Sequence, residues 1–193
     1  VRSRRQRQMC IRDRSRDNTP VVLTGSADGT VTYGNDSVTV DASHTEEGYL
    51  MVSYSGSNSK VKLQITGSDE ITYTYNLHDG YETFPLTSGS GSYTVGVFEN
   101  IEGTSYSTLF TQAIDVTIQD EFGPYLYANQ YVNFSADSKV ISKAMELSAS
   151  ANDDLEVIEN VYNYIITNFT YDYDKAASAV SYTHLTLPTT PYV

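Results

Sequence analysis

Apolar and polar positions alternate strictly along Lys60-Val61-Lys62-Leu63-Gln64-Ile65, placing Val61, Leu63 and Ile65 on one face of a strand. After Gly67-Ser68-Asp69 the alternation resumes in Ile71-Thr72-Tyr73-Thr74-Tyr75-Asn76-Leu77. Asp79-Gly80 then turns the chain into Glu82 to Leu86, so residues 60–86 read as a β-meander with one buried face. Further strands are predicted at 21–24, 30–33, 38–42, 49–54 and 92–98. A longer one carries Phe110, Ile114, Val116 and Ile118 on one face and Thr111, Asp115 and Thr117 on the other. Seven to nine short strands within about 100 residues, with frequent Gly, Asp, Asn and Ser turns, predict an immunoglobulin-like antiparallel β-sandwich over residues 15–119.

The period changes after Gln119. Residues 120–137 form an aromatic connector containing Gly123-Pro124. Asp137 or Ser138 caps a helix running to about Ser148, with Val140, Ile141, Ala144 and Leu147 inward. Asn152-Asp153-Asp154 begins a second helix, and Asp153 with Glu156 has capping-box spacing. Its stripe of Leu155, Ile158, Tyr162, Ile165 and Phe169, broadened by Val161 and Ile166, needs a partner that the first helix alone supplies poorly. A larger core is therefore expected to accompany residues 138–178.

Composition alters this picture at the ends. All seven Arg lie at or before Arg16, and the only Cys is Cys10. Reverse complementation of codons for Met9-Cys10-Ile11-Arg12-Asp13 yields Val-Ser-Tyr-Thr-His, the residues from Val180 to His184. The correspondence extends outward to Val1 with Tyr192, each pair of positions summing to 193. With suitable codon choices, one DNA element read in both directions can thus encode both termini, which resemble translated transposase-type sequencing adapters. Residues 1–14 and 179–193 are accordingly set aside as artefact. Without them, six basic residues face 23 acidic ones, a balance of −17, and no Cys remains. Such a charge argues against phosphate-backbone binding, so no nucleic-acid partner is expected. A Cys-free, acidic, Ser/Thr/Tyr-rich segment fits an exported bacterial protein, placed outside the cell or on its surface. No apolar run in this segment reaches the roughly 20 residues of a membrane span.

Candidate chemistry is sparse. Phosphate loops, paired-Cys motifs and HExxH are absent. His44 and His78 sit beside turn residues and read as solvent-exposed loop histidines, while His184 lies in the excluded tail. Asp28, Asp36 and Asp41 lack calcium-loop spacing. Glu46-Glu47 and Asp153-Asp154 read as solvated turn and helix-start charges, and Asn35, Asn133 and Asn168 open sequon-like triplets. Tyr73, Tyr75 and Tyr93 alternate in phase with Ile, Leu and Val, which assigns them to the core in preference to a carbohydrate-stacking face. No catalytic, cofactor-binding or metal-ligating residue is assigned, and no cofactor is expected.

The string SKVISKAMELSASANDDLEVIENVYNYIITNFTYDYDKAA, residues 138–177, resembles the start of the transglutaminase-like domain of exported Firmicutes-type bacterial proteins. Its most specific parts are Val161-Tyr162-Asn163-Tyr164-Ile165-Ile166 and Asn168-Phe169-Thr170-Tyr171-Asp172-Tyr173. The segment from Gly91 to Phe134 is similar to the β-domain that accompanies it. The resemblance implies a truncated papain-like α+β domain whose Cys nucleophile, His and Asp cleave or transfer amide groups. None of those roles falls on a residue of this chain, and Cys10 cannot fill the first. The chain therefore reads as a non-catalytic N-terminal fragment of a secreted or cell-surface protein, its sandwich a spacer or substrate-positioning module. The alternative is a non-enzymatic adhesion or carbohydrate-binding sandwich with a protein or cell-wall glycan partner.

Overall fold

The computed structural model describes residues 17–173 and the short strand Thr189–Pro191. The expectations for residues 1–14, for Cys10 and for His184 lie outside the described residues. Two compact units divide the chain, one formed by Val22–Asn133 and the other by the helices and flanking segments.

The first unit is a sandwich of two antiparallel sheets. Its strands are β1 (Thr32–Gly34), β2 (Val38–Asp41), β3 (Tyr49–Tyr54), β4 (Val61–Thr66), β5 (Thr72–Leu77), β6 (Gly80–Pro85), β7 (Gly91–Glu102) and β8 (Ser105–Val116). One sheet has the order β1-β2-β3-β6 and the other β5-β4-β7-β8. The alternation in β4 buries Val61, Leu63 and Ile65 as the sequence requires. Between the sheets these residues meet Val38, Val40, Leu50, Val52, Phe84, Val95 and Val97, each nearly inaccessible to solvent. Burying such side chains is the main favourable term in folding, at about 1.5–3 kcal/mol each before entropy is counted.

Two strand readings change. The meander breaks at Asp79-Gly80, where Gly80 takes a φ of 86° and the chain crosses to the opposite sheet. There β6 pairs with β3, Phe84 lying opposite Leu50, so β4 and β5 form a hairpin and β6 does not extend it. Residues 21–24 form no strand, only an isolated bridge between Leu23 and Tyr127.

The first sheet is covered on both sides. On its outer face, residues 22–29 run as a strap over Tyr49 and Thr83. A Cβ on Gly25 would lie 2.6 Å from Thr83 Oγ1 and 3.3 Å from Tyr49 Cε2. This double cover explains why Tyr49, Leu50, Met51 and Val52 are consecutively buried, which alternation alone does not predict. Most of the aromatic segment expected as a connector belongs to this unit. Tyr127 packs on Tyr49 with ring centroids 4.4 Å apart, and Tyr131 stacks on Tyr75 at 5.2 Å.

The second unit holds α1 (Lys139–Ser148) and α2 (Asp154–Asn168), with β9 (Phe169–Tyr171) paired to β10 (Thr189–Pro191). Ser138 precedes α1 in an extended conformation, as an N-cap does. At α2, Asp153 Oδ1 accepts from the Glu156 N–H at 2.9 Å. Glu156 reaches back to the backbone N–H of Asn152, one residue earlier than the usual capping box, at 2.7 Å.

The inward face assigned to α1 is only partly covered. Ile141 and Leu147 are half-buried, whereas Val140 and Ala144 are exposed. In α2 the apolar stripe points outward, with Leu155 72%, Ile158 63%, Tyr162 61% and Ile165 50% exposed. The half-buried face instead carries Val157, Asn160, Val161 and Tyr164. Polar contacts select it. Asn160 Nδ2 donates to the Leu147 carbonyl at the end of α1 (2.9 Å), and Lys143 Nζ lies 5.1 Å from the centre of the Tyr164 ring.

Candidate functional site

Ionisable and aromatic side chains gather where the strap meets the turn between β2 and β3. Residues Thr45–Glu47 form a single 3-10 turn, ended by Gly48 at a φ of 87°, a left-handed conformation that favours glycine. Gly48 is also pressed against Pro124, where an added Cβ would fall 2.5 Å from the ring. His44 precedes the turn and stacks on Tyr49, with ring planes 9° apart.

Both nitrogens of His44 are engaged. Nε2 lies 3.1 Å from Asp28 Oδ2 and 3.2 Å from Ser26 Oγ, while Nδ1 lies 3.1 Å from Glu47 Oε1. The Tyr127 hydroxyl donates to the other Glu47 oxygen, and the Ser26 N–H donates to the Tyr49 hydroxyl at 3.3 Å. Burial disfavours the imidazolium, but the hydrogen bonds and charges of Glu47 and Asp28 outweigh it and raise the His44 pKa. Glu47 is held below its ordinary value, first by the Tyr127 hydrogen bond and then by His44. Burial and the bond to Glu47 push the Tyr127 hydroxyl upward.

Nearby, Asp41 is 2% exposed and ties the strap down. Its Oδ2 accepts from the Gly29 N–H at 2.7 Å and its Oδ1 from the Ser43 N–H at 2.9 Å. Burial works against its charge, yet the bonds from Ser43 and Gly29 prevail and lower its pKa.

The line Ser26–His44–Glu47 has the heavy-atom spacing of a nucleophile, base and orienting acid. Its electrostatics oppose that use. A base needs a free Nε2, whereas Asp28 faces this nitrogen and favours its proton. The backbone N–H of Ser26, which could serve an oxyanion, is turned to Tyr49. The cluster is a charge clasp joining the strap, the turn and the segment around Tyr127.

The clasp corrects two sequence readings. His44 is a half-buried member of an ion-paired cluster, not a free loop histidine, and Glu47 is drawn into it while Glu46 stays exposed. Both follow from the strap and Tyr127, which lie far from the turn in sequence. His78 does remain largely exposed, at 67%, and pairs with Glu82 Oε1 at 3.0 Å. Asn35 organises the β1–β2 turn, its Oδ1 accepting from the N–H groups of Ser37 and Val38.

The three tyrosines separate. Tyr75 is buried against Phe84 in an edge contact, and burial pushes its hydroxyl up to about 12. Tyr93 is buried near the start of β7 and donates to the Gly89 carbonyl at 2.7 Å, the tyrosine-corner arrangement of immunoglobulin-like sandwiches. Tyr73, assigned to the core by phase, is 41% exposed. It opposes buried Ile65, but at the start of edge strand β5, where the covered inner face ends.

An open depression of about 580 Å³ between Thr87, Ser90, Gln119, Asp120, Glu121 and Pro124 carries two carboxylates and two hydroxyls, with no basic residue in its lining to activate either hydroxyl. Among the described residues, no three His, Cys, Asp or Glu are placed to hold a metal ion, and no helix is long and apolar enough to cross a membrane.

No protein-family model matches the chain, and no curated protein matches it. Among solved structures, the solution structure of the fn3 domain of human collagen alpha-1(XX) chain is similar at 17% identity. That match covers 50% of this chain and 92% of that domain, with a TM-score of 0.34. The strand orders and the tyrosine corner themselves make the sandwich immunoglobulin-like.

Proposed function

We propose that this chain is the leading, non-catalytic part of a secreted or cell-surface transglutaminase-like protein. Its sandwich acts as a spacer or substrate-positioning module for a parent that cleaves or transfers amide groups through a Cys thioester. The observation that most supports this reading is the outward stripe of Leu155, Ile158, Tyr162 and Ile165. An amphipathic helix gains its stability by burying such a stripe, so α2 fits a domain with a larger core. The Val161–Ile166 and Asn168–Tyr173 strings that carry the resemblance lie on α2 and directly after it.

Reading the native frame past Ala177 tests the proposal. A Cys codon followed by His and Asp codons, with iodoacetamide-sensitive release of ammonia from glutamine peptides by the extended protein, is the expected result. A native stop codon or another β-repeat there would sink it. The glycan-binding alternative has less support, since Tyr73 alone of its three tyrosines reaches solvent.

A further inference from the structure

Two open sheets have four edges, and an edge strand offers unpaired N–H and C=O groups to any extended chain unless something blocks it. Three edges of this sandwich are blunted. β1 is only three residues long, and β6 carries Glu82 and ends in Pro85. On β5, the Thr74 carbonyl accepts from the Tyr131 hydroxyl at 3.1 Å and the Asn76 carbonyl from Gln130 Nε2 at 2.6 Å. The fourth edge, β8, is twelve residues long, contains no proline, and has Asp115 as its one charged residue.

The pairing fixes which groups of β8 face outward. Residues in antiparallel ladders alternate between pairs that exchange both hydrogen bonds and pairs that turn their groups away. Thr74 turns away from β4, so its opposite number Gln64 bonds to Gly96 on β7. Gly96 is then unavailable to its β8 neighbour Thr111, which must face outward, and Ala113 and Asp115 follow by alternation. The side chains of all three are exposed. The Ala113 carbonyl accepts from the side chain of its half-buried neighbour Gln112 at 2.7 Å, a local bond that an incoming strand displaces, and the Leu109 carbonyl from Asn35 Nδ2 at 3.1 Å. On β5, by contrast, the two bonds come from a distant segment, residues 130–131, laid along the edge. Register shifts between Val97 and Phe98 and between Asn100 and Glu102 bend the hairpin before Phe110, which leaves Thr111–Val116 as the regular stretch.

We propose that this stretch docks a second copy of the chain, β8 against β8 in antiparallel register about Ala113, joining two four-stranded sheets into one of eight strands. A second copy fits because the outward pattern is its own complement. Ala113 opposes Ala113 of the other copy, and Thr111 opposes Asp115, so no like charges stand face to face. The contact is two-fold and closes at a dimer. The term against it is the net charge of −12 on each chain, a repulsion that salt screens.

Sedimentation velocity of the full chain at about 0.01 M and about 1 M salt, where the Debye length falls from about 30 to about 3 Å, is the test. The expected result is a concentration-dependent rise from 21.4 kDa towards twice that mass, more pronounced at high salt. Ala113→Pro removes an N–H that β7 does not use, so it should abolish the dimer while leaving the far-ultraviolet circular dichroism unchanged. Ala113→Glu keeps the backbone intact and sets like charges opposite each other, so its dimer should be lost at low salt and partly restored at high salt. Failure of the chain to dimerise at high salt, or a dimer that survives both substitutions, would overturn the proposal.

Discussion

The sandwich and the helical unit are both amphipathic in sequence, yet only the sandwich turns its apolar face inward. Its Phe84, Leu63, Val95 and Val97 are each fully buried. In the helical unit, among described residues 134–173, only Ser148 and Ala151 are buried, and the large apolar side chains of α2 face outward. Each sheet finds its opposing layer within the same hundred-odd residues. The helices are held by caps and by single side-chain bonds such as Asn160 to Leu147, each worth about 0.5–1.5 kcal/mol. A period marks which face is apolar; what covers that face is a separate property.

The largest expected effect tests this contrast directly. Phe84→Ala empties a fully buried site between the sheets and should cost about 3–5 kcal/mol, read as a lowered urea midpoint of the sandwich. Ile158→Ala, at a position 63% exposed, should change stability by no more than about 0.5 kcal/mol. Comparable losses at the two sites would mean that the α2 stripe is covered in solution and would erase the distinction.

The same contrast shows what could be read in advance. Period two located β4 and β5 and most of their core residues, because a covered face is a local property of its strand. The capping spacing located the start of α2 for the same reason. Period two marked the interval of β3 but not its burial on both faces, and it put Tyr73 in the core, where the edge of β5 leaves it 41% exposed. Crossovers were not legible: Asp79-Gly80 fits a hairpin and a sheet-to-sheet passage equally well, and only the pairing of β6 with β3 decides. Nor was the clasp. His44 and Glu47 lie three residues apart, but Asp28 comes from the strap and Tyr127 from eighty residues beyond Glu47. The one available signal was Gly48 with Gly123-Pro124, small residues where two segments press together.

Asp41 sharpens the comparison from the side of the strap. Its buried carboxylate satisfies the N–H groups of Gly29 and Ser43, and Asp41→Ala leaves both without that acceptor. The expected cost is about 1–3 kcal/mol, with faster amide exchange at Gly29 and Ser43 than elsewhere in the sandwich. Unchanged exchange at these two amides would show that the outer cover does not depend on Asp41.

The effect expected at the His44 clasp is smaller than that at Asp41 and is specific in its pH dependence. The His44 pKa is raised in the folded state above its ordinary 6.5, so its contribution is complete below about that pH and fades as pH rises through the folded value. Glu47 is lowered from 4.5, so its contribution is complete above about that pH and is lost as pH falls through its folded value. Both contributions are in place between roughly pH 4.5 and 6.5. Asp28 is 51% exposed, and exposed pairs of this kind contribute about 1 kcal/mol at most. His44→Gln should therefore lower stability by up to that amount at pH 5–6, and the gap from the parent should close as pH rises past the folded His44 value. Its alkaline limb should be correspondingly flatter in thermal melts. An equally steep limb in the variant would place the pH dependence elsewhere.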